Sequence, residues 1–320
     1  MEGSNIKNSG YKKERRIKVS DYVVFFSLIG LCVILSLASD VFLSAGNISN
    51  IFLQASLNGV IAIGMTMVIL TGGIDLSVGS IVAVAGIFIG IAKDTMPPVV
   101  VMIIALIAAT LLGFINGIGV TKGKLPPFIA TLGMMSIARG LASVLSNGRP
   151  IGNIPELFRF IGGGRIFGIF FPIIVMVVAY IIAYFLLKYT KLGRNTYAVG
   201  GNMEAAKLSG INVHRTQLKV YSISGLCSGI AAIMLVGRLN SASPTAGLEY
   251  EMNAIAATVI GGASMSGGEG RIQGTFIGAL IISVLRNGLN LLNVSSYWQQ
   301  IAIGLVIVVS VLADTLRRNR

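Results

Sequence analysis

Two stretches of this chain, Met96–Val120 and Ile166–Leu187, run the thickness of a lipid bilayer without one charged residue. About 20 mostly apolar residues make a helix that crosses the ~30 Å hydrocarbon layer, and only helices or closed barrels satisfy their own backbone there. That constraint outranks the length of 320 residues, which alone would suggest two soluble domains at about 150 residues each. Composition agrees. Charged residues are 12% of the chain, against about 25% in soluble proteins, too few to cover a water-facing surface.

Apolar runs recur near 22–39, 48–71, 77–93, 97–121, 126–147, 168–187, 218–239, 250–266, 272–293 and 296–314. They predict an all-α polytopic membrane helix bundle of about ten transmembrane helices. The eighth run is diluted by Glu251, Asn253 and several glycines. The first lacks a persuasive cleavage site and reads as a retained anchor. One transmembrane domain is therefore expected over 22–315, with a basic tail at 1–21, a loop at 188–217 and a short tail at 316–320.

The chain carries 25 Lys and Arg against 12 Asp and Glu, a net charge of +13. This excess clusters at Lys7 to Lys18, Lys188 to Lys219 and Arg317 to Arg320, between long uncharged runs. Basic residues favour the cytoplasmic side, so the clusters predict both termini and the 188–217 loop inside. Arg149, Arg159 and Arg165, in the expected outer loop 148–167, are the main exception. No groove-reading module accompanies the charge, so nucleic acid is not an expected partner.

Gly86–Gly90, Gly113–Gly117, Gly225–Gly229 and Gly274–Gly278 each set G-x-x-x-G on one helix face, a pattern that lets membrane helices approach closely. A weak internal echo links Leu70-Thr-Gly-Gly73 with Gly79 to Ile260-Gly-Gly262 with Gly267-Gly268, at an offset near 189 residues, as a duplicated half would.

Catalytic signatures are missing. There is no phosphate loop, H-E-x-x-H or G-x-S-x-G. Cys32 and Cys227 sit in apolar runs, and His214 is the single histidine, so neither a metal nor a cofactor is expected and any ATP must be hydrolysed by another chain. Acidic residues deep in the spans are sparse, which weighs against an ion-coupled carrier. Such a carrier remains the alternative from a different class.

The most informative polar segment is Thr190–Ile211. Asn202 is suited to cap a short helix through Glu204, Ala205, Ala206 and Leu208, and Gly210 to end it left-handed. Met203, Ala206, Leu208 and Ile211 then offer an apolar surface to a partner, though a solvated connector helix would satisfy the same spacing. Glu204-Ala-Ala-x-x-x-Gly210 resembles the coupling motif of ABC importer permeases. The likeness extends to Gly64-Met-Thr-Met-Val-Ile-Leu-Thr-Gly-Gly-Ile-Asp-Leu-Ser-Val-Gly79, Pro127-Phe-Ile-Ala-Thr-Leu-Gly-Met-Met135, Tyr197-Ala-Val-Gly-Gly-Asn202, Leu208-Ser-Gly-Ile-Asn-Val213, Ser243-Pro-Thr-Ala-Gly247 and Gly288-Leu-Asn-Leu-Leu-Asn-Val-Ser-Ser-Tyr297. These segments resemble the ribose-type monosaccharide permeases, and like that subfamily the chain lacks the distal I-x-L-P of the wider importer motif.

The resemblance implies a translocation subunit, not an enzyme, in the plasma membrane of a bacterium. It implies a cytoplasmic ABC ATPase, an extracytoplasmic sugar-binding protein and a second permease copy as partners, all within membrane lipid. Ribose is the implied cargo, with another pentose or hexose or a furanosyl signal molecule as alternatives. Asn202, Glu204, Ala205, Ala206 and Gly210 would then contact the ATPase.

Other residues are weighed on their own chemistry. Asp75 either lines the path or gate, or it or Ser77 caps the third span. Asn58, Thr66, Asn116, Thr131 and Ser136 are polar residues in apolar spans, suited to a hydroxylated cargo or to bonds between helices. Arg139 and Arg286 lie deep in their spans and either snorkel or join Arg149 and Arg238 in meeting a docked binding protein.

Overall fold

The computed structural model describes residues 19–318. The basic tail up to Lys18 and residues 319–320 lie outside the described residues. From the amino end, α1 (Val19–Ala38) leads to α2 (Ala45–Leu70), α3 (Val78–Ala92), α4 (Pro98–Thr121) and α5 (Pro127–Leu145). A short surface stretch holds β1 (Ile151–Gly152), α6 (Glu156–Gly163), β2 (Arg165–Ile166) and β3 (Ile169–Phe170). Next come α7 (Phe171–Tyr189), α8 (Lys191–Gly201), α9 (Met203–Leu208) and α10 (Val213–Leu239). The chain closes with β4 (Ser241–Ala242), α11 (Tyr250–Ile260), α12 (Ile272–Leu291) and α13 (Ser296–Arg318).

Every segment expected to span is occupied by a helix, and local chemistry explains the starts. Proline stands in the first turn of α4, α5 and α7, where its missing N–H costs no helix bond. Ser44 accepts from the Asn47 amide to open α2, and Asn212 from the Arg215 amide to open α10. Among the described helices α2, α4, α5, α7, α10 and α12 are long and apolar enough to cross a membrane, while α1, α3 and α13 contain shorter apolar stretches. The chain is thus a polytopic membrane helix bundle.

α2 is its axis. From Ala55 to Leu70 every residue of that helix is buried, enclosed by α7, α10, α11 and α12. The glycine faces are the seams. On α4 and α10, a Cβ added to Gly113 would lie 3.0 Å from the Gly225 Cα. On α12, Gly274 and Gly278 abut the α11 backbone at Gly261 and Ala257. Gly86 and Gly90 receive Val236 and Ala242.

Three expectations are corrected. The eighth run is not a continuous helix over 250–266: α11 stops at Ile260, because Gly262 takes φ +86°. Its 11 residues rise only ~16 Å, about half a bilayer core. Ile166–Leu187 is not one span either. Phe167 (φ 50°) and Gly168 (φ 81°) turn a β2–β3 hairpin, and α7 begins after it. The expected 188–217 loop holds two helices, α8 and α9, instead of one, and α10 already begins within it at Val213.

α3 begins at Val78, because residues 71–77 leave the helix of α2 in a turn closed by the Gly72 and Gly73 amides on the Ile69 and Val68 carbonyls before re-entering the bundle. The first turn of α3 there meets the 243–249 loop that precedes α11. Gly79 and Gly247 face each other so closely that a Cβ on Gly79 would lie 2.1 Å from the Gly247 oxygen. Two interrupted segments therefore meet inside the bundle.

Candidate coupling surface and buried polar centre

The candidate coupling segment is capped as its residues suggest. Asn202 Oδ1 accepts from the Ala205 amide at 2.9 Å and begins α9, and Gly210 ends it at φ +79°. That conformation costs L side chains energy and glycine almost none. Asn202, Glu204, Ala205 and Gly210 are exposed. Ala206 is not. It packs with Val199 of α8 and Val213 of α10, against Ala198 and Ile211. The expected apolar surface of Met203, Ala206, Leu208 and Ile211 is therefore corrected: Ala206 and Ile211 anchor α9 to its own chain, while Met203 and Leu208, the latter 88% exposed, remain outward.

α8 connects this surface to the bundle. Thr190 Oγ1 accepts from the Gly193 amide at its start, and Thr196 and Val199 are buried along one face. The Tyr197 hydroxyl donates to the Gly270 carbonyl at 3.0 Å. Burial pushes this phenol up, Arg271 pulling partly the other way, so it stays a neutral donor at physiological pH.

Behind these turns lies the polar centre. Asp75 is fully buried in the 71–77 segment. Its Oδ1 accepts from the Ser77 amide at 3.0 Å and the Ser77 hydroxyl at 2.6 Å. Its Oδ2 accepts from Ser224 of α10 at 2.8 Å. Asn116 of α4 donates to Ser77 Oγ at 2.7 Å, and Thr131 of α5 donates to the adjacent Ile74 carbonyl at 3.1 Å. A carboxyl removed from water is tolerated only with such donors. Asp75 thus both holds the amide that opens α3 and bridges to α10. Ser77 makes no capping bond of its own.

Asp75, Asn116 and Thr131 are therefore brought together, and Asn58 stands apart. It is buried within α2, with Oδ1 unpartnered among the described residues. Thr66 belongs to a third group, bonded to Thr275 at 2.8 Å and Thr258 at 3.3 Å. Ser136 is exposed and bonds to its own backbone.

At the end of α10, β1 pairs with β4, Ile151 against Ala242, and Arg149 and Arg238, which precede these two strands, are both exposed. Arg286 turns inward instead, 3.5 Å from Glu249, which Gln300 also contacts. Arg139 does not snorkel free: it donates to the Pro244 and Ala246 carbonyls at 2.8 and 2.7 Å and pins the 243–247 loop.

Sequence reasoning missed Ser224, Tyr221, Thr258 and Thr275. Tyr221 is fully buried with its hydroxyl unpartnered among the described residues, and that hydroxyl covers Gly73. A small hydroxyl in an apolar helix is ordinary, and only the tertiary partner distinguishes it. The available signal was Ser224 and Ser228 flanking Gly225 on one face of α10.

A polytopic helix bundle with a short exposed helix anchored on it through Ala206 and interrupted inner segments fits a membrane transport subunit. Residues 47–311 match the family of branched-chain amino acid transport system permease components, and the chain belongs to that family. It is 48% identical to the ribose import permease protein of Haemophilus influenzae over 295 residues, 91% of each chain. It is 49% identical to that of Bacillus subtilis over 293 residues, again 91% of each. The D-allose transport system permease of Escherichia coli is 39% identical over 298 residues, 92% of this chain and 91% of the relative. No solved structure matches. The chain is a multi-pass transport subunit rather than an enzyme.

Proposed function

We propose that this chain is the permease of an ATP-driven, binding-protein-dependent importer that moves ribose across the bacterial plasma membrane. α9 is the surface offered to the ATPase: Glu204, Lys207, Met203 and Leu208 project outward, while Ala206 seats the helix on the bundle. That exposed but anchored helix is the observation that carries the reading, because force on it must pass into α8 and α10. Identity of 45–49% to ribose import permeases of three species supports ribose over the hexose and other pentose alternatives.

In this reading the single transmembrane domain runs over 22–315 and crosses the membrane ten times, the eighth crossing being α11 with the 243–249 loop. Both tails and the α8–α9 segment are cytoplasmic, and Asp75, Asn116 and Thr131 form the gate, with Asn58 further along the path. A second copy of the chain completes the pore. Arg149 and Arg238 present the positive edge for the sugar-binding protein. Arg286, already paired with Glu249, contributes chiefly by holding α12 to the α11 entrance.

The test is uptake of labelled ribose into proteoliposomes holding the permease with its ATPase, with the binding protein outside. Uptake that requires internal ATP and survives collapse of ion gradients is expected. Uptake without ATP that follows an ion gradient would overturn the proposal in favour of an ion-coupled carrier.

A further inference from the structure

Two glycine turns, the one that ends α2 at Gly72–Gly73 and a second at Gly267–Gly270 in the connection from α11 to α12, meet inside the protein: a Cβ on Gly267 would lie 2.8 Å from the Gly72 nitrogen. Leu70, at the end of α2, accepts through its carbonyl from the Gly268 amide at 3.0 Å. The end of α8 is pressed into the same junction. A Cβ added to Gly200 would lie 1.8 Å from the Leu70 oxygen and 2.4 Å from the Gly268 nitrogen. Contacts below 3.0 Å to backbone atoms leave no room for any side chain. Gly201, the next residue, has open space where its Cβ would be. Tyr197, one turn earlier on α8, grips the second turn through Gly270.

Three backbone segments thus share one point with no side chain between them. The far face of the first turn is bounded by Tyr221, whose hydroxyl lies 2.5 Å from where a Gly73 Cβ would be, and two residues further on is Asp75. On its other side α8 runs through Val199 into the cluster that seats α9. Packed backbones do not deform gradually; they shift between discrete arrangements.

We infer that Gly200 and Tyr197 are positioning residues of the transport cycle, locking α8 to both glycine turns so that displacement of α9 carries the two turns as one body. This rests on the importer reading above. The turns are not packing ornaments of a duplicated half; they are where the coupling segment takes hold of α2 and of the 261–271 connection to α12. Because Leu70 and Asp75 lie on either side of one turn, that motion reaches the polar centre without passing through a flexible side chain. A coupling route of this kind is established only by a measured energetic link, and the glycine pair supplies the comparison.

The experiment uses the complete importer in proteoliposomes and reads ribose moved per ATP hydrolysed, beside permease abundance. Wild type comes first: ATP-dependent ribose uptake secures the importer reading, and its absence would sink that reading before any substitution is made. Gly201→Ala should behave as wild type. Tyr197→Phe, which removes one hydroxyl, should lower ribose per ATP by about five- to tenfold, the scale of one lost buried hydrogen bond in an equilibrium near balance. Gly200→Ala should lower it further. Should Gly200→Ala fail to insert, Tyr197→Phe decides. A well-inserted Tyr197→Phe complex with the wild-type ratio overturns the inference. So does an equal fall in uptake and hydrolysis, which would mark a merely structural contact.

Discussion

α2 and α4 are both apolar enough to cross a membrane, and α4 is the more apolar, with mean hydropathy 2.7 against 1.7. Their places are opposite. Over the most apolar stretch α2 is 89% buried in the protein and α4 only 22%. Hydropathy reports which segments leave water, and lipid and protein interior are equally good destinations for Leu or Ile. What separates the two helices is the minority residues. α2 carries Asn58, Gly59, Gly64 and Thr66 through its buried middle, with Gly59 against α7, Gly64 against α10 and Thr66 bonded to Thr275. α4 keeps Gly113 and Gly117 on the seam against α10 and turns Ile103, Ile107 and Leu111 outward.

The comparison breaks most sharply at glycine. A Cβ on Gly64 would lie 2.6 Å from the Ser224 Cα, so Gly64→Leu should prevent α2 and α10 from closing and abolish folded permease in membranes. Gly30 of α1 has nothing within reach of its Cβ, and Gly30→Leu should accumulate as wild type. Fluorescence-detected size exclusion of tagged variants reads both. Equal recovery of the two would mean that α2 is not the packed axis.

Smaller but still large is the contrast between two isoleucines. Ile61 of α2 is fully buried and Ile107 of α4 is 53% exposed. Ile61→Ala should cost about 2–5 kcal/mol through the cavity it leaves. Ile107→Ala should stay within about 0.5 kcal/mol, as substitutions away from packed features do. Thermal unfolding in detergent measures the difference, and a matching Tm for the two variants would erase the distinction.

Asp75→Asn comes next. The amide oxygen keeps one acceptor for Ser77, and the new N–H₂ faces Ser224, whose hydroxyl is able to accept. The expected cost is about 1 kcal/mol, while Asp75→Ala, leaving buried donors unmet, should cost about 3 kcal/mol or more. A drop in Tm as large for Asn as for Ala would show that the network needs a carboxyl and not merely an acceptor.

These cases also show what was legible. Apolar runs located a helix at each position where one was expected, and the G-x-x-x-G faces are packing seams, because both signals are local and repeat along one element. The cap at Asn202 and the left-handed Gly210 were readable for the same reason. The shortening of α11 was foreshadowed by Glu251 and Asn253 but not its end, since Gly261 and Gly262 mean a break only once α12 packs beside them. Burial of Ala206 was illegible, because a six-residue helix has no periodicity to say which side faces home. The bridge from Asp75 to Ser224 joins positions 149 residues apart, and no spacing rule reaches that far.

The finest cut in the comparison is between two threonines. Thr66 on α2 bonds to its own helix at the Ala62 carbonyl, and also across helices to Thr275 at 2.8 Å and Thr258 at 3.3 Å. Thr110 on α4 bonds to the Leu106 carbonyl one turn back. Valine matches threonine in shape, so each Thr→Val exchange removes the hydroxyl and little else. Bonds between helices in a membrane are worth about 0.6 kcal/mol on average and at most about 1.7, because the separated helices find other partners. Thr66→Val should therefore lower stability by roughly that amount, and Thr110→Val by about zero, since only a bond within its own turn is lost. A Thr66/Thr275 double-mutant cycle isolates the cross-helix part. A coupling energy indistinguishable from zero there would mean that α2 is held by close packing alone, and that its buried hydroxyls serve the path rather than the fold.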